Sequence, residues 1–561
     1  MRDRARATMA LLAATLTLML AGCVGIPTSG SVQIGQALEE QDSGDFEFFP
    51  LGPVEGADQE AILSGFVAAF TGSADDFTVA REFLSADFSD EWNPRSGVTV
   101  RTSAQRFMTV GDTSMEYSVS AAATVDSAGA YRQNTDPVPV TVPVEFVQED
   151  GEWRISQTRD GIVLADATFR SIFDTHALYF LDPTATSLVP DLRWFPSGSA
   201  ALRVVSALLA GPPDWLRGAV GTAFPEGTGL VAPSVEVESG VANVDLSPEA
   251  LAANAAERQL MQIQLTQSLA DVPNIRRVSI SVSGTPLEVA EPGASAPRAN
   301  PQVDPRPVAL KDGVFGRLVR NGITPIALLG DAVVDTVPSG ATIANERVDV
   351  AVLGAEGVSI VREGAGGSIL LDARADLVTP SLDNAGYVWS ASRSNPASIR
   401  VFDFAGASTD VPTGLGASAT IVSVDVSRDG ARIAIFASTP NGPRLLVKAV
   451  NRDANANQAP MSLSEAVIDG GAQSGVAIDA TWVDELTVAT LARAGEQRSV
   501  MLYEIGGERT SLSGPPGATA IVGGNGRAGL RILGENGTIL ARSGNSWTDT
   551  GVAVSFLATQ R

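Results

Sequence analysis

Two short segments of this chain share a pattern that few folds use. Ser381-Leu382-Asp383-Asn384-Ala385-Gly386 runs into Tyr387-Val388-Trp389, and 46 residues later Ser427-Arg428-Asp429-Gly430 runs into Ile433-Ala434-Ile435-Phe436. Asp479 to Trp482, ahead of Leu486 to Ala489, sits in a comparable setting. An Asp-Gly turn feeding an apolar strand, repeated at this period, is what a propeller blade requires: the turn reverses the chain and the strand buries against the next blade. Short apolar runs separated by Gly, Asp and Asn continue from about residue 308 to the end, with no long helical periodicity. At roughly 45 residues per blade, 308–561 is expected to be an all-β propeller of five or six blades. A pair of β-sandwiches is the alternative that the pattern leaves open.

Upstream, the periodicities change. Ile62, Phe66 and Phe70 recur every four residues, with Leu63 and Val67 beside them, and predict a helix. Val79, Phe83 and Leu84 predict a second short one. Met115, Tyr117, Val119, Ala121, Ala123 and Val125 alternate, as do Val138, Val140, Val142, Val144 and Phe146. Period-2 alternation predicts strands with one buried face. Helices followed by an antiparallel sheet make 57–170 an α+β domain, of the cone-shaped NTF2-like kind.

A second α+β domain is expected over 177–289. Leu178 to Leu181 predict a strand, Leu188-Val189 and Leu192 to Phe195 two short ones, and Leu202, Val205, Leu208 and Leu209 a helix closed by Gly211-Pro212-Pro213. Alternation around Ser239-Gly240 predicts a hairpin. Ser247-Pro248 is expected to open a helix carrying Leu260, Ile263 and Leu269 on one face. Val278, Ile280 and Val282 close the domain as a strand. The segment 290–307, with five prolines, is read as a stiff linker.

The N-terminus is an address. Arg2, Arg4 and Arg6 precede an apolar run over 7–20, too short for the about 20 residues that span a bilayer. Leu20-Ala21-Gly22-Cys23 follows, the bacterial lipobox pattern, in which the cysteine is acylated and becomes the new N-terminus. Residues 1–22 are therefore read as a lipoprotein signal peptide, Cys23 as the lipidation site and 23–56 as a tether. The protein is expected at the outer face of the cell membrane, held by its acyl chains.

Chemistry-bearing patterns are scarce. One His (His176) and one Cys exclude an intrachain disulfide framework and a Cys/His zinc site. His176 is read as a structural or surface residue. The acid excess, 64 Asp and Glu against 39 Lys and Arg, argues against a nucleic-acid partner. Neither a Gly-x-Ser-x-Gly elbow nor a P-loop occurs. Gly524-Asn525-Gly526-Arg527-Ala528-Gly529 matches Gly-x-Gly-x-x-Gly, yet the next residues, Leu530 to Leu533, read as a strand where a dinucleotide site needs a helix; it is read as a propeller turn. No catalytic residue, metal site or cofactor is assigned.

The whole set resembles the LpqB family of actinobacterial lipoproteins. The matching residues are the lipobox with Gly25-Ile26-Pro27-Thr28-Ser29-Gly30 directly after it, and a middle domain similar to GerMN. In that domain the likeness lies in Leu178-Tyr179-Phe180, Leu188-Val189-Pro190, Ala207 to Pro212, Phe224-Pro225-Glu226-Gly227-Thr228 and Val244-Asp245-Leu246-Ser247. The resemblance implies a non-enzymatic lipoprotein that contacts the extracytoplasmic domain of a sensor histidine kinase similar to MtrB, in the MtrA–MtrB two-component system, and modulates cell-envelope homeostasis. Only Cys23 carries over residue by residue, as the acylation site. The alternative is an extracytoplasmic hydrolase or lyase acting on cell-wall glycan, with a carboxylate pair in the propeller.

Overall fold

The computed structural model describes residues 50–561 apart from 73–76, 321, 345–347 and 472. Cys23 and most of the expected tether lie outside the described residues.

In the N-terminal domain the helix Gln59–Ala68 starts where Asp58 accepts the Ala61 N–H, and it buries Ile62, Leu63 and Phe66. The second helix is shorter than expected: Thr78–Arg81 ends before Phe83 and Leu84, which are buried as irregular chain leading into the cap at Ser85. The helices cover a five-stranded sheet in the order Glu152–Gln157, Tyr131–Glu149, Ser114–Asp126, Gly97–Gly111, Ile162–Ala165. All six apolar residues of the first alternating stretch are buried. In the second, Val142, Val144 and Phe146 are buried but Val138 is exposed, because Glu152–Gln157 pairs only with Glu145–Glu149 and leaves the earlier part of that strand at the sheet edge.

The middle domain opens with a long hairpin, Phe173–Leu181 against Leu188–Pro196. The two short strands expected over 188–195 are one, continuous because Pro190 sits at a register position and does not break it. His176 lies inside the first strand rather than before it. The helix Ala200–Leu209 buries Val204, Val205 and Leu208. Ser247-Pro248 opens only a 3₁₀ turn, Pro248–Ala252. The helix that follows, Ala255–Ser268, is started by a capping box in which Asn254 accepts from the third helical residue and Glu257 accepts the Asn254 N–H. Its buried residues are Met261, Gln264, Leu265 and Ser268; of the face expected, Leu269 is buried at the helix end, while Leu260 and Ile263 are only partly buried. Arg277–Val282 pairs in parallel with Val241–Leu246 beneath it.

From residue 308 the described residues form six successive blades of strands: one eight-stranded sheet holds the first two, and sheets of four, five, four and four strands follow. The first blade combines Val308–Lys311, Val314–Val319 and Gly322–Pro325 with the C-terminal strand Phe556–Gln560 as its innermost member, so the two ends of the region close on each other. The blades that follow begin at Gly340–Ile343, Ser381–Leu382, Thr420–Val426, Val476–Trp482 and Ala518–Val522. Neighbouring inner strands are stitched by side chains: the Val426 N–H donates to Ser381 Oγ (3.0 Å), the Trp482 N–H to Asp425 Oδ2 (3.0 Å) and the Ile521 N–H to Asp479 Oδ2 (2.9 Å). A side-chain acceptor on the third, fourth and fifth blades thus satisfies a backbone donor on the next, whereas the first two blades are joined directly, Phe556–Gln560 pairing in parallel with Gly340–Ile343.

The proline-rich stretch packs as a strap. Asn525 holds Val303 from both sides, accepting its N–H (2.9 Å) and donating to its carbonyl (2.7 Å), while Gln560 Nε2 donates to the Asp304 and Arg306 carbonyls. The Gly-x-Gly-x-x-Gly segment is therefore a turn that grips the strap, followed by the strand Arg531–Gly534.

Candidate functional site

The Ser-Arg-Asp-Gly turn of the fourth blade folds on its own aspartate. Asp429 Oδ1 accepts the Ser427 hydroxyl (2.7 Å) and the Ala431 N–H (2.9 Å), and Oδ2 pairs with Arg432, which is wholly buried. Gly430 has φ +72°, and a Cβ there would lie 1.9 Å from Asn384 Oδ1, so both backbone and space demand glycine. The related turn of the third blade does the same. Asp383 accepts the Ala385 and Tyr387 N–H groups, the Trp389 indole N–H (2.9 Å) and Arg452 Nη2 (2.7 Å). These two turns, the middle-domain turn 182–187 and the strap at 301–303 enclose a cleft of about 410 Å³.

Arginines rather than histidines give the cleft its chemistry. Arg452 is closed off by Asp383 and by the Gly430 and Gln458 carbonyls. Arg428 donates to the Pro301 (3.1 Å) and Gly524 (2.7 Å) carbonyls. Arg561 pairs with Asp425 and is buried, and that burial pushes its guanidinium down to about 9.

Around the cleft the three domains are locked together. The Tyr179 hydroxyl donates to Glu485 Oε1 (2.7 Å), and the Asn300 N–H to Glu485 Oε2 (2.8 Å). Burial pushes Glu485 up from the ordinary carboxylate range. Asp191, buried beside Arg193, accepts the Trp215 indole N–H (3.0 Å). Ala431 and Ala449 of the fourth blade pack into the middle-domain core. The N-terminal domain is tied to the fifth blade by Arg170 with Glu508 (2.6 Å) and by Arg509 with Gln133 (3.1 Å); the Trp194 indole donates to the Gly506 carbonyl (2.9 Å). A separate, mainly apolar pocket of about 240 Å³ lies in the N-terminal domain between the helix Gln59–Ala68 and the sheet.

His176 is 1 % exposed, stacks near Phe195, and has no hydrogen-bond partner on either ring nitrogen among the described residues; burial lowers its pKa and keeps the ring neutral. It is a core residue. Asp182, Asp383 and Asp429 at the cleft each accept several internal hydrogen bonds, which is the behaviour of structural carboxylates. Among the described residues no cluster of three or more His, Cys, Asp or Glu is arranged to hold a metal ion, and no helix is long and apolar enough to cross a membrane. Sequence reasoning passed over Arg428, Arg452 and Glu485. An arginine inside the Ser-x-Asp-Gly turn was the one visible signal.

Two α+β domains docked on a closed ring of β-sheet blades define a multidomain protein built on a propeller-like scaffold. Residues 52–170 match the family described as lipoprotein LpqB, N-terminal domain; 177–288 match the sporulation and spore germination (Germane) family; 313–555 match the lipoprotein LpqB beta-propeller domain. In its N-terminal and C-terminal regions the chain is similar to the LpqB lipoprotein family. A lipoprotein LpqB of Cutibacterium acnes is 30% identical over 49% of this chain and 46% of its own length, so the match spans about half of that relative. One of Streptomyces avermitilis is 24% identical over 94% of both chains. The first GerMN domain of the Bacillus subtilis sporulation protein GerM is similar at 17% identity, covering 22% of this chain and 96% of that one, with a TM-score of 0.16.

Proposed function

We propose that this protein is a non-enzymatic lipoprotein, acylated at Cys23 and held at the outer face of the cell membrane. We propose that it binds the extracytoplasmic domain of an MtrB-like sensor histidine kinase and modulates its signalling in cell-envelope homeostasis. The likeness to the LpqB family supports the anchoring and the partner. The observation that supports a binding rather than a catalytic role is that Asp182, Asp383 and Asp429 in the inter-domain cleft are tied into turns, as with Asp383 and its four donors. The functional modules in this reading are 57–170, taken as NTF2-like because its sheet and helix enclose a pocket, 177–289 and 308–561. Residues 23–56 act as the tether. Anchoring in the same membrane raises the effective concentration toward the kinase, so a micromolar contact of about −8 kcal/mol suffices.

The test is co-purification of the full-length protein with the kinase after crosslinking in membranes, combined with kinase autophosphorylation measured with and without the lipoprotein. A specific crosslink and a changed phosphorylation rate are expected. No crosslink together with unchanged kinase output overturns the reading.

A further inference from the structure

The junction cleft is polar in an unbalanced way. Among the described residues, Arg428 donates only to neutral oxygens, those of Pro301, Gly524 and, at 3.4 Å, Asn525, and its buried Nε–H has no acceptor. The Arg561 side chain, 4 % exposed, has its Nε–H in the same condition despite its pairing with Asp425. Gln458, a third residue of the wall, buries a side-chain oxygen that receives no donor. Two buried guanidinium donors and one buried amide acceptor are thus unmet around one cavity. The wall's own carboxylates are engaged elsewhere: Asp182, Asp383 and Asp429 each meet three or more other groups, and Asp349 pairs with Arg362.

Buried polar groups in native proteins are overwhelmingly paired, so unmet ones gathered at a cavity point to a ligand that supplies the complement. The complement of two arginine N–H donors is an anionic oxygen group, and the complement of an amide oxygen is a hydroxyl or N–H donor. A volume of about 410 Å³ suits a single ring rather than a polymer. We propose that this cleft is a binding site for a small anionic sugar: one carboxylate or phosphate facing Arg428 and Arg561, on a hydroxylated ring that donates to Gln458. The site joins the middle domain, the strap and the first four blades, through Arg561, Asp349, Asp383 and Asp429, so its occupancy would tighten the contact between them. This reading stands independently of the kinase partner.

The experiment is calorimetric titration of the detergent-solubilised full-length protein with D-glucuronate, D-glucose 6-phosphate, D-glucose and acetate. At least one anionic sugar is expected to bind with a Kd about tenfold or more below those of glucose and acetate, and the better of the two identifies the anion. Arg428→Gln is expected to weaken that binding about tenfold, Gln458→Ala severalfold, and Arg217→Gln, on an exposed side chain, not at all. Should Arg428→Gln fail to fold, Gln458→Ala and the unaltered protein still decide. No heat from either anionic sugar at millimolar concentration, or equal binding by the unaltered protein and Gln458→Ala, overturns the proposal.

Discussion

Tyr179, in the first long strand of the middle domain, donates its hydroxyl proton to Glu485 Oε1 in the fifth blade at 2.7 Å, across 306 positions of sequence. The carboxylate is partly buried, and its other oxygen receives the Asn300 N–H of the strap. One side chain therefore ties three segments together. Tyr179→Phe removes a donor and leaves a partly buried carboxylate short of a partner, at a cost of about 1–2 kcal/mol. Urea unfolding followed by tryptophan fluorescence should show a lower midpoint.

Asp383 is the acceptor for two backbone N–H groups, the Trp389 indole and Arg452. Asp383→Ala leaves the almost fully buried Arg452 side chain without its carboxylate, a loss on the order of 3–5 kcal/mol. Asp383→Asn, which keeps an acceptor for the backbone donors, should cost less. Calorimetric melting of both variants checks the order.

Gly506 sits at φ +74°, and a Cβ there would lie 2.5 Å from the Leu192 carbonyl oxygen. Gly506→Ala should cost about 1–2 kcal/mol from backbone conformation alone and push the fifth-blade turn away from the middle domain. Amide hydrogen exchange should rise at 504–509 and around Trp194, whose indole bonds the Gly506 carbonyl.

Burial raises the Asp479 carboxyl to about 6. Its pKa in the folded protein lies above its unfolded value, so the native state holds the proton more tightly. The associated stability is full below about pH 4, declines as pH rises through 6, and is level above that, for a difference on the order of 2–3 kcal/mol. Asp479→Asn should remove this part of the pH dependence, read as the difference between the two proteins' urea midpoints from about pH 4.5 to 7.5. Parallel pH curves would show that Asp479 does not titrate in this range.

Cys23→Ala should release the protein from membranes or leave its precursor unprocessed, because acyl chains give stable anchoring where no other anchor is assigned. Fractionation with mass measurement of the N-terminal peptide checks this. A mature membrane-bound Cys23→Ala product would overturn the lipidation assignment.

Local order was legible in the chain wherever neighbours in sequence are also neighbours in space. The alternation from Met115 to Val125 and the apolar spacing of Ile62 and Phe66 report faces that one strand or helix buries on its own. The Asp-Gly turn at 427–430 was equally plain, since its bonds run within five residues. The start of the helix Ala255–Ser268 was misplaced because Ser247-Pro248 has the composition of a cap, while the reciprocal bonds of a capping box form at Asn254 and Glu257.

What the tertiary structure alone decided are relations between distant residues. Closure of the ring by Phe556–Gln560 on Val308–Lys311, the grip of Asn525 on Val303, and the gathering of Arg428, Arg561 and Gln458 around one cleft leave no period in the sequence. The reason is physical. Periodicity records which side of an element meets apolar surroundings, whereas these contacts depend on which elements are brought together. That choice is made by the packing of whole blades and domains, after each has satisfied its own backbone.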